Sequence, residues 1–192
     1  MAATTDTWTP ARADAELPPE VVLREIIDGK LIMSPAPIPA HQESMARTSE
    51  ALRAHVRTPR LGIVLPAPLD VVLSDEDVVR PDVIYVAQGN HILNLKNITG
   101  APDLLVEIVS AGSVCRDRID KKALYERHGV REHWPAELGN RAVEVCELRE
   151  GSYQLLNLFT EEETLCSDVL PGFTVPVADL LPPADWLEEV AE

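Results

Sequence analysis

The segment that most constrains the fold is DLLVEIVS at residues 103–110, an almost continuous apolar run with one internal acid. Such a run is typical of a strand that is buried on both faces of a sheet. Alternation along the strand places Glu107 on the same face as Leu105 and Val109. Because an unpaired carboxylate is costly to bury, Glu107 needs a cation, a hydrogen-bond network or a bound metal. The alternative is a structural acid at a strand edge or in a salt bridge with arginine.

Turn residues and hydrophobic periodicity predict the other elements. Asp28-Gly29 lies between two apolar runs in residues 21–33 and predicts a hairpin, because both turn residues need positive φ. Two stretches without proline or glycine, residues 40–57 and 117–128, predict helices. The remaining predicted strands are residues 62–73, 78–86, 142–148 and 153–159. This order predicts a mixed α/β domain around one sheet.

Length and composition indicate one globular domain. The chain has 192 residues, of which 45% are hydrophobic and 26% charged. The predicted domain spans residues 21–182, after a flexible leader at 1–20 and before an acidic tail at 183–192. Three cysteines without paired spacing predict neither a disulfide framework nor a zinc site. The N-terminus does not resemble a signal peptide, and no apolar run approaches the about 20 residues that a membrane helix needs. We therefore expect a cytoplasmic protein with no membrane contact.

The charge distribution argues against tight, non-specific binding of nucleic acid. The net charge is −15, and after Arg149 the chain has ten acidic and no basic residues. A negative long-range field repels polyphosphate, whereas DNA-binding domains usually carry a basic stripe. Residues 24–60 and 116–131 are locally basic, so the sequence still allows a local basic surface.

Two further positions could carry chemistry together with Glu107. Asp82 directly follows Pro81, which marks a strand start or edge because proline cannot donate to a ladder. An acid there would face a cleft, or it is an ordinary turn aspartate. Asp117, Lys121 and Tyr125 have i, i+4, i+8 spacing and lie along one face of the predicted helix. The alternative for this set is a surface ion pair.

Two weaker candidates lie in the first third of the chain. Glu25 alternates with Leu23 and Ile27 on one face of a predicted strand. His41 lies near the start of the predicted helix at 40–57, where it is either a general base or a structural residue.

The carboxylates and the lysine together form a known chemical set. Mg²⁺ is usually held by one or two carboxylates and keeps waters and substrate phosphates as its other ligands. The ion lowers the pKa of a bound water, and a nearby lysine neutralises charge in the transition state. A site of this composition would be able to cut a phosphodiester.

Several short motifs occur in a specific order. They are REIIDGKL at 24–31, MSP at 33–35 with His41, VRPD at 79–82, GAPDLLVEIVS at 100–110, Asp117, Lys121 and Tyr125 with Gly129-Val130, and LPGF at 170–173. Together these motifs, which run from about Val22 to Leu181, resemble the Uma-type family of putative restriction endonucleases. That family lies in the PD-(D/E)XK nuclease-like superfamily.

The resemblance implies a restriction-endonuclease-like α/β core, with a mixed β-sheet flanked by helices. Asp82 would match the acid of the first half-motif and Glu107 the acid of the second, and both would bind Mg²⁺ or Mn²⁺. Val109 occupies the usual lysine position two residues after Glu107, and the lysine would have moved to Lys121 on the helix. Glu25 would match an additional acid near the site.

One stretch departs from the family pattern. Where family members usually read Tyr-Trp-Ile-Val-Asp, residues 133–137 read His-Trp-Pro-Ala-Glu. Pro135 would remove one ladder donor where a strand is expected, which puts the local sheet edge and a dimer contact there in question.

The resemblance implies a metal-dependent endonuclease that hydrolyses phosphodiester bonds, with DNA as the favoured substrate. By analogy with nucleases of the same core, we expect a homodimer. Two alternatives stay open, because fold does not determine function. A catalytically silent relative would bind nucleic acid or protein, which the acidity favours. A hydrolase of small molecules or nucleotides would use the same carboxylates.

Overall fold

The computed structural model describes residues 7–17, 24–33, 36–109 and 116–188. The strands are β1 (Arg24–Ile27), β2 (Lys30–Met33), β3 (Gly62–Pro66), β4 (Val71–Ser74), β5 (Asp77–Val79), β6 (Val83–Ala87), β7 (Ile98–Thr99), β8 (Leu104–Val109), β9 (Glu132–Glu137), β10 (Ala142–Arg149), β11 (Ser152–Thr160), β12 (Thr164–Cys166) and β13 (Thr174–Pro176). The helices are α1 (Pro10–Glu16), α2 (Pro39–Arg57), α3 (Arg116–His128), α4 (Val177–Leu180) and α5 (Asp185–Glu188).

Two sheets dominate the architecture. The larger has six strands in the order β11-β10-β9-β8-β6-β3, and the smaller has five in the order β2-β1-β5-β4-β7. Both are mixed, because β8 runs parallel to β9 and β4 runs parallel to β7 while their other neighbours are antiparallel. Strands β12 and β13 form a separate pair. The predicted mixed α/β class is confirmed, whereas the expectation of one sheet is wrong.

Strand β8 is buried as its apolar sequence predicts. Leu104 and Val106 belong to the core that also contains Leu52 of α2 and Trp134 of β9. Leu105 points to the opposite face and packs in a second core that includes residues of α3. Each fully buried aliphatic side chain contributes about 1.5–3 kcal/mol, so β8 is held from both faces.

The predicted strands at 62–73 and 78–86 each divide into two. Residues 62–73 include β3 and most of β4, and residues 78–86 include parts of β5 and β6 with a break between them at 80–82. In each segment one half belongs to the six-stranded sheet and the other to the five-stranded sheet. Prolines lie at or beside the breaks, where a residue without an N–H cannot continue a ladder. The chain therefore crosses between the sheets directly before Asp82.

Strand β9 forms despite Pro135. It is an interior strand, parallel to β8 with Glu107 opposite Pro135, and antiparallel to β10. The β9–β10 ladder has pairs on either side of Trp134 and Pro135 at a constant register, and it is interrupted at those two residues. The missing N–H thus causes a local gap in the ladder. The expectation of a disturbed sheet edge at 133–137 is wrong, since this segment lies inside the sheet.

Short helices lie near both ends of the described part of the chain. Helix α1 lies within residues 1–20, and its Ala13 is buried against Ile26 and Val78. Helix α5 lies within residues 183–192. The backbone N–H of Trp8 donates to the carbonyl of Gly29, so part of the predicted leader is attached to the β1–β2 hairpin. Within the described ranges, no helix is both long and apolar enough to cross a membrane.

Candidate active site

Asp82 lies beside Glu107 because of the pairing between β6 and β8. These strands are antiparallel with Val83 opposite Val106, so continuing the register by one residue places Asp82 opposite Glu107. Asp82 Oδ2 accepts a hydrogen bond of 2.7 Å from the backbone N–H of Ile108. This bond fixes the carboxylate across the end of the ladder.

The carboxylate of Glu107 is held at both oxygens. The Lys121 ammonium lies 3.1 Å from Oε2, and the Tyr125 hydroxyl donates to Oε1. Burial raises the pKa of Glu107 to about 7, and the charges of Asp82 and Glu25 act in the same direction. Lys121 and the Tyr125 hydrogen bond oppose this rise. The nearby positive charge thus only partly offsets the effects of burial and of the neighbouring carboxylates on the pKa of Glu107.

Lys121 connects the two sheets. Its Nζ lies 2.9 Å from Glu25 Oε1 on the five-stranded sheet and 3.1 Å from Glu107 on the six-stranded sheet. Burial lowers the pKa of Lys121, but the charges of Glu107 and Glu25 raise it well above its usual value. The ammonium is therefore charged at any physiological pH.

Glu25 is positioned from two sides. The β1–β2 hairpin forms as predicted, with Asp28 at φ 49° and Gly29 at φ 68°. The backbone N–H of Arg80, in the crossing before Asp82, donates to Glu25 Oε1 at 2.8 Å. Glu25 thereby contacts both Lys121 and the segment that leads to Asp82.

The structure brings together all four residues proposed from the sequence: Glu25, Asp82, Glu107 and Lys121. The side chain of Asp117, which the sequence places on the same helix face, lies outside the described residues. Glu107 lies on an interior strand, and the cation that it contacts is Lys121 and not an arginine.

Two further side chains complete the cluster. Tyr125 is fully buried, and its spacing from Lys121 in the sequence already indicated a shared helix face. His41 Nε2 lies 3.3 Å from Asp82 Oδ2. Its position near a helix start gave no indication of this contact, because the contact joins α2 to the residue before β6.

The charge of Asp82 affects the pKa of His41 as well as that of Glu107. Burial lowers the pKa of His41, but the hydrogen bond and charge of Asp82, with the charge of Glu107, raise it above its usual value. Its Nδ1 is buried and has no hydrogen-bond partner in the described part of the chain. A protonated His41 would add a second positive charge to the cluster.

The donor chemistry of the cluster fits a hard divalent cation. Glu25 and Glu107 contact Lys121, Asp82 lies opposite Glu107, and carboxylate oxygens are preferred ligands of Mg²⁺. In the described ranges, no group of three or more histidine, cysteine or acidic residues has the geometry of a complete metal site. One or two carboxylates are the usual protein contribution to a Mg²⁺ site, so two carboxylates of the cluster would be enough to hold such an ion.

Comparisons with known proteins agree on the fold. A crystal structure described as a putative nuclease belonging to DUF820, from Anabaena variabilis ATCC 29413, is similar with a TM-score of 0.70. The sequences are 18% identical, and the similarity covers 91% of this chain and 96% of the other. At this level of sequence identity, the similarity shows that the two proteins share a fold and nothing more.

Sequence comparison places the chain in a family. No curated protein matches it significantly. Residues 15–178 match the Uma2 family, which is described as "Putative restriction endonuclease". Because this match covers most of the 192 residues, the protein belongs to the Uma2 family of restriction-endonuclease-like proteins.

Proposed function

We propose that the protein is a divalent-metal-dependent endonuclease that hydrolyses phosphodiester bonds, with DNA as its substrate. The observation that carries this proposal is the contact of Lys121 with Glu107, at the point where Glu107 lies opposite Asp82. The family and the fold support a nuclease. The metal, the substrate and the residue roles are parts of the proposal.

Asp82 and Glu107 would hold the ion, which is Mg²⁺ or Mn²⁺. When bound, such an ion stabilises negative charge on the phosphate and lowers the pKa of a bound water. Nucleases with restriction-endonuclease-like folds generally use divalent metals, and the oxygen donors of this cluster suit either ion.

The other residues of the cluster act on charge and orientation. The Lys121 ammonium would orient the attacking water and neutralise charge that develops on the phosphate. Glu25 holds Lys121 at 2.9 Å, so it positions that ammonium. Tyr125 donates to Glu107 Oε1, which limits rotation of the carboxylate.

A cleavage assay with matched lysine variants tests the proposal. Single- and double-stranded DNA and RNA are incubated with Mg²⁺ or Mn²⁺, using the wild type, Lys121→Ala, Lys122→Ala and Glu107→Ala. We expect Lys121→Ala and Glu107→Ala to lose roughly 10²-fold or more in rate, while Lys122→Ala keeps wild-type activity. Equal activity of Lys121→Ala and Lys122→Ala would contradict the proposed role of Lys121.

The strong acidity of the chain favours a second candidate, a catalytically silent nuclease-like binding module. Such a protein would bind nucleic acid or protein but would cleave none of the substrates in the assay. Adding nucleoside triphosphates and dinucleotides to the same assay tests the third candidate, a small-molecule hydrolase.

A further inference from the structure

The end of helix α2 and the strand that follows it form a segment without negative charge. Residues 51–69 are the longest stretch of the sequence without an acidic residue, in a chain of net charge −15. This stretch contains Arg53, Arg57 and Arg60, and all three side chains are exposed. Arg53 and Arg57 are four residues apart on one face of α2, and Arg60 lies in the turn after the helix. We call these three residues the α2 arginines.

The α2 arginines have no acidic partner in the described part of the chain. Arg53 Nε donates instead to the backbone carbonyl of Val64, 3.2 Å away, which leaves its charge uncompensated. Glu50, one helical turn before Arg53, forms an ion pair with none of the three. Acidic residues pair with every other arginine whose side chain the structure describes: Arg12, Arg24, Arg47, Arg80, Arg127, Arg131, Arg141 and Arg149. The unpaired guanidinium groups are therefore concentrated in one place.

Helix α2 runs from the candidate site toward the α2 arginines. His41 lies in its first turn, and its Nε2 is 3.3 Å from Asp82 Oδ2. Leu52 and Val56, near the other end, pack in the core that also contains residues of β3 and β6. At a rise of 1.5 Å per residue, Arg57 is about 24 Å further along the helix than His41. The site and the positive charge thus lie at opposite ends of one helix.

Strand β3 runs back from the arginines to the site. It is the outer strand of the six-stranded sheet and is antiparallel to β6. Arg53 contacts β3 at Val64, and the N–H of Ala67, just after the strand, donates to the carbonyl of Asp82 at 2.9 Å. The three residues from Val64 to Ala67 span roughly 10 Å. A strand of nucleic acid that leaves the site along β3 therefore reaches Arg53 first and then Arg57, one helical turn beyond.

We propose that the α2 arginines bind the phosphate backbone of the nucleic-acid substrate as it extends from the candidate site. This inference rests on the proposed function and adds where the substrate lies outside the cleavage site. Arginine suits this task, because its planar guanidinium donates two parallel hydrogen bonds to a phosphate. Stacked nucleotides follow each other at about 3.4 Å along one strand, so the path from Asp82 to Arg53 corresponds to roughly three nucleotides.

The negative net charge does not prevent this contact. Charges in solution are largely screened beyond about 10 Å at 0.1 M salt. A phosphate at the α2 arginines is therefore attracted by the unpaired guanidinium groups, while the acidic end of the chain acts mainly on the approach from a distance. The contact is local, in agreement with a chain whose overall charge disfavours tight, non-specific binding.

DNA binding at several salt concentrations tests the surface. Fluorescence anisotropy of labelled DNA is measured in EDTA with the full-length wild type, Arg57→Gln/Arg60→Gln and the control Lys96→Gln/Arg149→Gln. Each double variant loses two exposed positive charges, so the two have the same net charge. For Arg57→Gln/Arg60→Gln, we expect binding about tenfold weaker and a log K against log salt plot less steep by about 1.4–1.8. The control is expected to keep the wild-type slope, and circular dichroism spectra show that the variants fold.

Three outcomes would overturn the proposal. The first is a wild type that does not bind DNA. The second is an equal change in the two double variants, which would reflect net charge and not the position of the arginines. The third is displacement of the labelled DNA by polyglutamate as effectively as by unlabelled DNA, which would indicate an acidic protein as the partner.

The binding assay and the cleavage assay separate the two proposals. If the wild type binds DNA through the α2 arginines but cleaves no substrate with either metal, the surface is supported and the proposed function is wrong. If cleavage depends on Lys121 while the two double variants bind DNA equally well, the proposed function is supported and the surface is wrong.

Discussion

At the scale of single residues, Glu107 links stability to chemistry. Its side chain is 13% exposed, and burial with the charges of Asp82 and Glu25 raises its pKa from 4.5 to about 7. In the unfolded chain the carboxyl ionises near its ordinary value. Between these two values the folded protein keeps a proton that the unfolded chain has released, so folding becomes less favourable as the pH rises.

The first prediction concerns this pH dependence. The contribution of Glu107 to the free energy of unfolding is roughly 3 kcal/mol. It is complete below about pH 4.5 and is lost as the pH rises through about 7. Urea unfolding in EDTA across this range measures the free energy of unfolding. Glu107→Gln should remove this part of the pH dependence. The same slope in the variant and the wild type would contradict the prediction.

The second prediction compares the two charges of the ion pair at neutral pH without metal. Glu107→Gln should be neutral or stabilising, because it removes a crowded carboxylate and leaves Lys121 paired with Glu25 at 2.9 Å. Lys121→Met should destabilise by about 3–5 kcal/mol, because it leaves buried carboxylates without their cation. Thermal melts in EDTA measure both changes. A large destabilisation by Glu107→Gln would mean that the Glu107–Lys121 pair is mainly structural.

At the scale of elements, the β1–β2 hairpin positions Glu25, and its turn is closely packed. Gly29 adopts φ 68°, and a Cβ there would lie 2.5 Å from Cγ2 of Thr7. Gly151, in the β10–β11 turn, adopts φ 83°, and a Cβ there would have no neighbour within 4 Å in the described ranges. The two turns therefore impose the same backbone requirement with different surroundings.

The third prediction uses these glycines as a matched pair. Gly151→Ala should cost about 1 kcal/mol for the left-handed backbone alone. Gly29→Ala should cost more, because its methyl group also displaces Thr7 and with it the segment before α1. Chemical denaturation of both variants gives the comparison. Equal losses would show that the Thr7 segment moves away without cost.

At the scale of the whole molecule, the candidate site lies where the two sheets approach each other, in a chain of net charge −15. Lys121 bridges the sheets through its contacts with the carboxylates of Glu25 and Glu107. A cation that binds only the native state stabilises it by mass action, by about 2.7 kcal/mol at 100 times its dissociation constant.

The fourth prediction is that millimolar Mn²⁺ or Mg²⁺ raises the melting temperature of the wild type, and raises that of Glu107→Gln much less. Glu162→Gln, which neutralises an exposed acid outside the site, is the control and should respond like the wild type. Differential scanning calorimetry with and without EDTA measures the shift. Equal shifts in all three proteins would indicate diffuse binding to the acidic surface.

The sequence by itself determined the elements whose signals are local. Asp28-Gly29 predicted the first hairpin, residues 40–57 and 117–128 predicted α2 and α3, and the apolar run around Glu107 predicted the buried strand β8. Turn chemistry and periodicity depend on neighbours within a few residues, so the sequence contains them directly. Alternation and helix spacing singled out Glu25, Asp82, Glu107 and Lys121 as candidates, and the family motifs implied their roles.

Only the tertiary structure decided how these pieces meet. Alternation shows which residues share a face of a strand, but it does not show to which sheet the strand belongs. The division of residues 62–73 and 78–86 between two sheets, and the contact of His41 with Asp82, therefore depend on long-range pairing. The same holds for the bridge from Glu25 through Lys121 to Glu107, because its three members come from elements far apart in the chain.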